Sequence, residues 1–571
     1  REGELIFRYI YEAAGCRKPF SRLWISSLTP EAIRKGFAQL RDGRDFDPLA
    51  DAARGRSRAD WLVGMNLSRA YTLDFDENLS IGRVQTPTLA MVVERELAIR
   101  AFVPEDYLEI VASFSPAAAS DTSATATYRG TWFRGDTPTP DAKRLMRAPD
   151  APEGADLQEA MAIVQRVRGG QAAVESARSE TQRMPPPLLY DLTELQRHAN
   201  RLFGFSAQRT LGLAQSLYEA KKLISYPRTD SRHLSQDVAA TLGEIVRAVQ
   251  GPYQDKLAPG TGERPLGKRY VDDAKVTDHH AILPTAKPPD GVDLSPDEAK
   301  IYDLICRRLL SAWHGDYVTS VTTVITAVTS AGTPEVTDRF HSSGTVVEQE
   351  GWKVLDLPHP GKARKAAKEK EKSADKAGDE PEDPEEGNER EEPQVLPPGL
   401  VRGQRQEVRE VKTLAKKTRP PRRFTEATLL TAMETAGKTL DDRELSAAMK
   451  ESGLGTPATR AEIIETLLRR EYIVRMGKAL EATDKGIRLI ELVHPQVKSP
   501  ALTGQWESQL RKIQRGEGDL PTFLQGIEKF VREVVGEVFR NGVAHPGNGS
   551  GRTLGGGSSP LGVRRLGQGG G

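Results

Sequence analysis

A strand texture interrupted by a long helical stretch is what most limits how this chain can fold. Tyr317 to Val328 (YVTSVTTVITAV) is β-branched throughout, the composition of a strand packed among neighbours. Tyr107 to Phe114 (YLEIVASF) alternates like a half-buried strand. Between the two, Leu188 to Trp313 reads as mostly helical. Leu192, Leu195, Ala199 and Leu202 share one face, and Ser206 caps a second helix with Leu211, Ala214 and Leu217 inward. One β-rich lobe split in sequence, with a helical lobe inserted into it, is the predicted arrangement.

Helical spacing also marks Glu4 to Ala14 and Thr29 to Leu40, the latter with Thr29 as N-cap and Pro30 in the first turn. Thr425 opens another helix, and Thr456 with Pro457 opens TPATRAEIIETLLRR, whose Ile463, Ile464 and Leu467 face a core. Tyr472 to Thr483 then reads as a hairpin around Gly477. Two helices followed by a hairpin fit a winged helix or a plain helical subdomain with a β ribbon, and the pattern alone does not choose.

At 571 residues the chain has room for about four lobes. Two cysteines, Cys16 and Cys306, cannot build a disulfide scaffold or a four-thiolate zinc ribbon, so a reduced, cytoplasmic protein is the default. No apolar run approaches the ~18 residues of a membrane span, and REGELIFRYI is no signal peptide. The net charge of +1 makes any nucleic-acid claim depend on local basic clusters. Gly361 to Pro393 has no aromatic or β-branched residue to offset ordering entropy, and the tail from Asn541 is rich in Gly and Ser, so both are predicted to be unfolded. A first residue of Arg1 rather than Met leads us to expect a start inside a longer reading frame.

Three motif matches fail on inspection. Gly262 to Lys268 (GERPLGK) has P-loop spacing, but Pro265 sits inside it and Arg269 replaces the magnesium-holding Ser or Thr. Gly453, Gly455 and Ala458 imitate a dinucleotide turn, yet a helix precedes them. Asp278, His279 and His280 are adjacent, so their side chains diverge, and they read as solvent- or phosphate-facing rather than as a metal site. The informative stretch is Leu223 to Ser235 (LISYPRTDSRHLS). Pro227 pushes Tyr226 into an extended conformation and places Arg228 on the same side. A phenol is a poor nucleophile at neutral pH, but a guanidinium beside it favours the phenolate and grips a phosphate. The pair could attack a phosphodiester, or be a packed Tyr with a surface Arg.

That stretch, with SIGRVQTPTL (Ser80 to Leu89), DHHAILPT (Asp278 to Thr285), GLGTPATRAEIIETL (Gly453 to Leu467) and LTGQWE (Leu502 to Glu507), resembles type IA DNA topoisomerases, specifically the topoisomerase III branch, from Arg1 to about Phe539. The resemblance implies an α+β multidomain, toroidal body. Its parts would be the end of a Toprim domain (1–46), a central helical DNA-binding lobe (47–105 and, winged-helix-like, 421–540) and a β-rich arch (106–185, 315–360 and a return segment 397–420). The helical lobe with the catalytic Tyr (186–314), a disordered charged insertion (361–396) and a disordered tail (541–571) complete it.

By the same resemblance Tyr226 is the nucleophile, Arg228 assists at the scissile phosphate, and His279 rather than His280 lies near it. REGE looks like the end of the Toprim Asp-x-Asp-x-Glu motif, which makes Glu2 a catalytic carboxylate and a magnesium ligand in a Mg2+ site whose other carboxylates would precede Arg1. Ser80, Gly82, Arg83, Val84 and Gln85 would bind the strand, with Arg56 and Arg58 of RGRSRADW, Thr229, Asp230, Ser231 and Thr459 adding contacts. Arg83 as a plain salt-bridge residue is the other reading. The implied function is ATP-independent breakage of one DNA strand through a 5′-phosphotyrosine, strand passage and rejoining, decatenating or relaxing negatively supercoiled DNA. The rivals are a truncated, catalytically impaired single-stranded-DNA-binding body and, more remotely, a tyrosine recombinase. Single-stranded DNA is the preferred partner, a helicase partner stays open, no membrane is expected, and the chain is read as a nucleoid-associated monomer.

Overall fold

The computed structural model describes residues 2–25, 30–117, 127–148, 150–276, 278–330, 335–358, 394–439, 445, 446, 449 and 453–542. Thr29, the charged segment 361–393 and the tail beyond Gly542 lie outside the described residues.

Helix α1 (Glu2–Ala13) is tied to the rest by Arg8, which donates from Nε to Glu4 and from Nη1 to Asp47, each at 2.7 Å. Phe7, Tyr11 and Phe20 cluster with ring centroids 4.9–5.8 Å apart and form a small apolar core of their own. Helices α2 (Asp47–Phe75) and α3 (Gln85–Arg100) follow.

Six antiparallel strands then close into a barrel: β1 (Asp106–Pro116), β2 (Tyr128–Phe133), β3 (Gln171–Met184), β4 (Tyr317–Thr329), β5 (Thr337–Gln349) and β6 (Arg405–Lys417), in the order β1-β2-β5-β4-β3-β6. Alternate residues point inward, so Ile110 and Phe114 of β1, Val174 of β3, Val324 of β4 and Phe340 of β5 share one core. Closure is tight at Gly130, where a Cβ would come within 3.0 Å of the Phe340 Cβ and 2.8 Å of the Ser342 hydroxyl. Helix Ala155–Gly169 covers the barrel with Ile163 and Val167.

The helical stretch leaves the barrel after β3 and returns at β4. Met184 and Tyr317 are partners in the β3–β4 ladder, so the inserted lobe starts and ends at one point. Its helices α4 (Leu192–Phe203) and α5 (Ala207–Glu219) begin at Asp191 and Ser206, whose side chains accept from the Glu194 and Arg209 N–H groups. The last lobe is built from α6 (Glu426–Thr435), α7 (Pro457–Arg469), α8 (Pro500–Gln514) and α9 (Leu520–Gly542). Its ribbon pairs β8 (Ile473–Met476) with β9 (Ala479–Ala482), and β9 with β7 (Phe424–Thr425), a wing whose turn uses Gly477 at φ +63°. This lobe and α2–α3 form one core containing Val63, Leu67, Leu89, Leu429, Ile464 and Leu510, so two segments far apart in sequence fold as one body.

Candidate active site

Tyr226 lies on an irregular segment that is stitched to the DHHAILPT stretch. The Ser225 N–H donates to the Leu283 carbonyl (2.8 Å), the Leu283 N–H to the Ser225 hydroxyl (2.9 Å), and the Thr285 N–H to the Leu223 carbonyl (2.8 Å). Leu223, Ile224, Ala281, Ile282 and Leu283 are buried beneath this seam, which anchors it and leaves Tyr226 half-exposed above. Two sequence motifs are thus the two sides of one ladder.

The Tyr226 ring meets His279 at 4.4 Å between centroids and the edge of Tyr218 at 5.4 Å. Burial pulls the His279 imidazole below its ordinary value, against the opposing charges of Asp278 and Asp230, and so favours its neutral form. His280 directs its Nδ1 to the Ala281 carbonyl at 2.7 Å, so of the two histidines it is His279 that meets the phenol. Arg228 is exposed, and its Nη2 donates to the Gln215 Oε1 at 3.2 Å.

A cleft of about 400 Å³ opens beside Arg228. Arg228, Gln85 of the SIGRVQ turn and Thr459 of α7 line it, together with Gln208, Leu211 and Glu462. Gly453 and Gly455, at φ +60° and +74°, make the sharp entry to α7. A Cβ on Gly453 would lie 2.6 Å from the Met433 carbonyl oxygen. The Thr456 and Thr459 side chains then complete a capping box.

The structure places several expected contact residues elsewhere. Arg83 is buried: its Nε and Nη2 bond the Asp60 carboxylate at 2.8 and 3.3 Å, its Nη1 bonds Glu507 at 3.1 Å, and it lies 5.3 Å from the Trp506 ring. The Arg83 guanidinium is thus enclosed by its ion pairs in this structure, the arrangement of the ion-pair reading. Glu507, itself buried, also holds Arg56. Thr503 donates to the Arg83 carbonyl at 3.0 Å. SIGRVQ and LTGQWE therefore belong together as the two halves of a buried ion-pair knot. Thr229 and Ser231 are also buried, with hydroxyls donating to the His279 and Lys275 carbonyls (3.1 and 2.9 Å), and so shape the loop. Ser80 and Gly82 use their N–H groups on the Tyr472 and Thr86 hydroxyls. Val84 is half-buried in the same turn, while Arg58 and Asp230 are exposed.

Glu2 begins α1, but its side chain lies outside the described residues. Among the described residues no group of three or more His, Cys, Asp or Glu could hold a metal ion.

A charge network that sequence reasoning missed joins the inserted lobe to the last one. Arg197 of α4 pairs with Glu194 (2.7 Å) and, across the interface, Glu434 of α6 (2.5 Å). The buried Arg460 of α7 reaches the Thr193 hydroxyl at 3.0 Å. Burial pushes the Asp191 carboxyl up to about 6.

A family model described as DNA topoisomerase matches residues 44–525. DNA topoisomerase 3 from Shouchella clausii (strain KSM-K16) is 37% identical over 544 residues, which cover 94% of this chain and 67% of that protein. DNA topoisomerase 3 from Bacillus subtilis (strain 168) gives the same identity and coverage. The solved structure of full-length topoisomerase I from Thermotoga maritima superposes with a TM-score of 0.62 at 24% identity, over 94% of this chain and 76% of that one, a likeness of fold. No described helix is long and apolar enough to cross a membrane.

Proposed function

The chain belongs to the DNA topoisomerase family, as a type IA, topoisomerase III-like member, and from that premise we propose that Tyr226 is its nucleophile. The enzyme is an isomerase that breaks one DNA strand, passes another through the gap and rejoins the first without ATP. In the proposed step the Tyr226 Oη–phosphorus bond forms as the bond from phosphorus to the 3′ oxygen breaks. The phenolic proton is lost and the departing 3′ oxygen gains one. Resealing runs the same exchange backwards, and because one phosphate ester replaces another, no nucleotide is needed. Arg228 grips the phosphate, and His279, favoured as the neutral base, carries the proton.

The observation that carries this reading is the contact of the Tyr226 and His279 rings two residues from Arg228, which lines a cleft with Gln85 and Thr459. At about 400 Å³ the cleft has the scale of a small-molecule site and suits a nucleotide of an unpaired strand rather than a duplex. Single-stranded DNA is therefore the substrate form we assign, with Arg58 and Asp230 at the exposed margin and a monomer acting alone or beside a helicase. The family is consistent with a metal-dependent enzyme. Magnesium is the ion we expect, with Glu2 the one carboxylate of this chain assigned to it. The test is a 3′-labelled single-stranded oligonucleotide trapped in denaturant with magnesium present. The wild-type chain forms a covalent adduct, and Tyr226→Phe forms none while binding the strand with nearly wild-type affinity. An adduct that persists in the Phe variant overturns the assignment.

A further inference from the structure

Gln208, Leu211, Gln215 and Tyr218 occupy positions i, i+3, i+7 and i+10 of α5, which fall within about 80° of arc on an α-helix. This single face serves the whole site. Gln208 and Leu211 line the cleft, while Gln215 and Tyr218 touch the two residues of the Tyr-x-Arg pair.

Gln215 bonds in two directions. Its Oε1 accepts from Arg228 Nη2 at 3.2 Å, and its Nε2 donates to Glu219 Oε1 at 3.1 Å, an arrangement that fixes which end of the amide faces the guanidinium. An amide oxygen steadies Arg228 through one N–H and leaves its charge and its other N–H groups for a phosphate. A carboxylate at that place would neutralise the guanidinium. Tyr218 meets the Tyr226 ring edge-on, at 80° between planes, while His279 lies against the same ring at 44°. Two neighbours at such different inclinations restrict both side-chain torsions of Tyr226 and hence the direction of its hydroxyl. Tyr218 is steadied in turn by Lys222, whose ammonium lies 5.7 Å from its ring.

We propose that Gln215 and Tyr218 are positioning residues for strand cleavage: Tyr218 aims the Tyr226 hydroxyl, and Gln215 holds the Arg228 guanidinium in place at the wall of the cleft. The inference rests on the nucleophile assignment made above. Attack requires a near-attack geometry, and an error of about 1 Å can cost on the order of 100-fold in rate.

The experiment uses the full chain and reads cleavage, binding and geometry separately. Adduct formation on the 3′-labelled oligonucleotide is timed, strand affinity is taken from anisotropy, and histidines labelled at Cε1 report by NMR the ring-current shift that Tyr226 imposes on His279, assigned with Tyr226→Leu. Tyr218→Leu slows cleavage about tenfold or more with affinity unchanged, and it moves the His279 signal toward its Tyr226→Leu position. Tyr218→Phe, which keeps the ring edge, rescues both. Gln215→Glu, an isosteric change at a part-exposed position that preserves the fold, slows cleavage about tenfold without moving the His279 signal. A Tyr218→Leu chain that cleaves at the wild-type rate with an unmoved His279 signal overturns the role of Tyr218, and an undiminished Gln215→Glu overturns that of Gln215. If the wild-type chain forms no adduct, the nucleophile assignment falls, and the NMR comparison alone then decides whether Tyr218 orients the ring.

Discussion

Arg83→Ala separates two roles that the SIGRVQ turn invites for its arginine. The Arg83 side chain is 4% exposed and is held by Asp60 and Glu507, and Glu507 is 3% exposed. Removing the guanidinium strips Glu507 of one partner and leaves it Arg56, while Asp60, largely in water, is released at little cost. Breaking a buried pair costs about 3–5 kcal/mol, and the retained Arg56 places this case at the lower end, about 3 kcal/mol. For a lobe of this size that is a fall of about 6–12 °C in Tm. A side chain that meets no phosphate releases no counterion. The slope of log K against log salt for single-stranded DNA therefore keeps its wild-type value, whereas loss of a real phosphate contact makes it shallower by about 0.7. Differential scanning calorimetry and anisotropy titrations over a series of salt concentrations measure the two effects on one preparation. A slope shallower by about 0.7 with an unchanged Tm would show that Arg83 works on DNA and that the ion-pair argument is wrong.

Asp191 caps α4 while buried, with its carboxyl raised to about 6, so the folded state holds a proton that the unfolded chain releases near pH 4. Its contribution to stability is fully present below the unfolded value and is lost as pH rises through about 6; Asp191→Asn, which still caps, flattens Tm between pH 4 and 6 and raises it at pH 7, and a parallel pH profile for the two proteins refutes this. His279 is depressed by burial, so the neutral base survives below its ordinary value. The acidic limb of the cleavage rate accordingly falls below pH 6.5 and disappears in His279→Gln, and a limb centred above pH 6.5 contradicts the assignment.

Helix starts were the most legible part of the chain because caps are local chemistry. Ser206, Thr425 and Thr456 each stand where their side chains accept the N–H groups that a helix leaves unpaired or complete a capping box. The strands Tyr107 to Phe114 and Tyr317 to Val328 were equally visible, since alternation and β-branching are written into adjacent residues. Strand β3 was not, because its second half is exposed and polar and carries no alternation. The burial of Arg83, Thr229 and Ser231 was not legible from their motifs. Residues that recur beside a reactive group are read as touching the substrate, and in this structure these three hold the backbone that presents it. The partners that decide Arg83 lie 23 and 424 residues away in sequence, a separation no local pattern spans. Tyr226 was singled out by the company of the other family motifs rather than by its local spacing, whereas the contacts of Gln215 and Tyr218 appear only when α5 is laid beside the loop.

Met184 and Tyr317, opposite each other at the end of the β3–β4 ladder, and Leu355, which follows β5 and is buried in the core of the lobe that carries Tyr226, join that lobe to the barrel through three strands. A compact body of the ~130 residues between Met184 and Tyr317 has a radius of gyration of about 14 Å and a breadth of about 36 Å. Adjacent strands tolerate twists from about 10° to 35°, and a change of about 20° at this junction would carry the far side of the lobe through about 12 Å. The pairs of Arg197 with Glu434 and Arg460 with Thr193 are among the contacts to the last lobe that such a displacement would have to break.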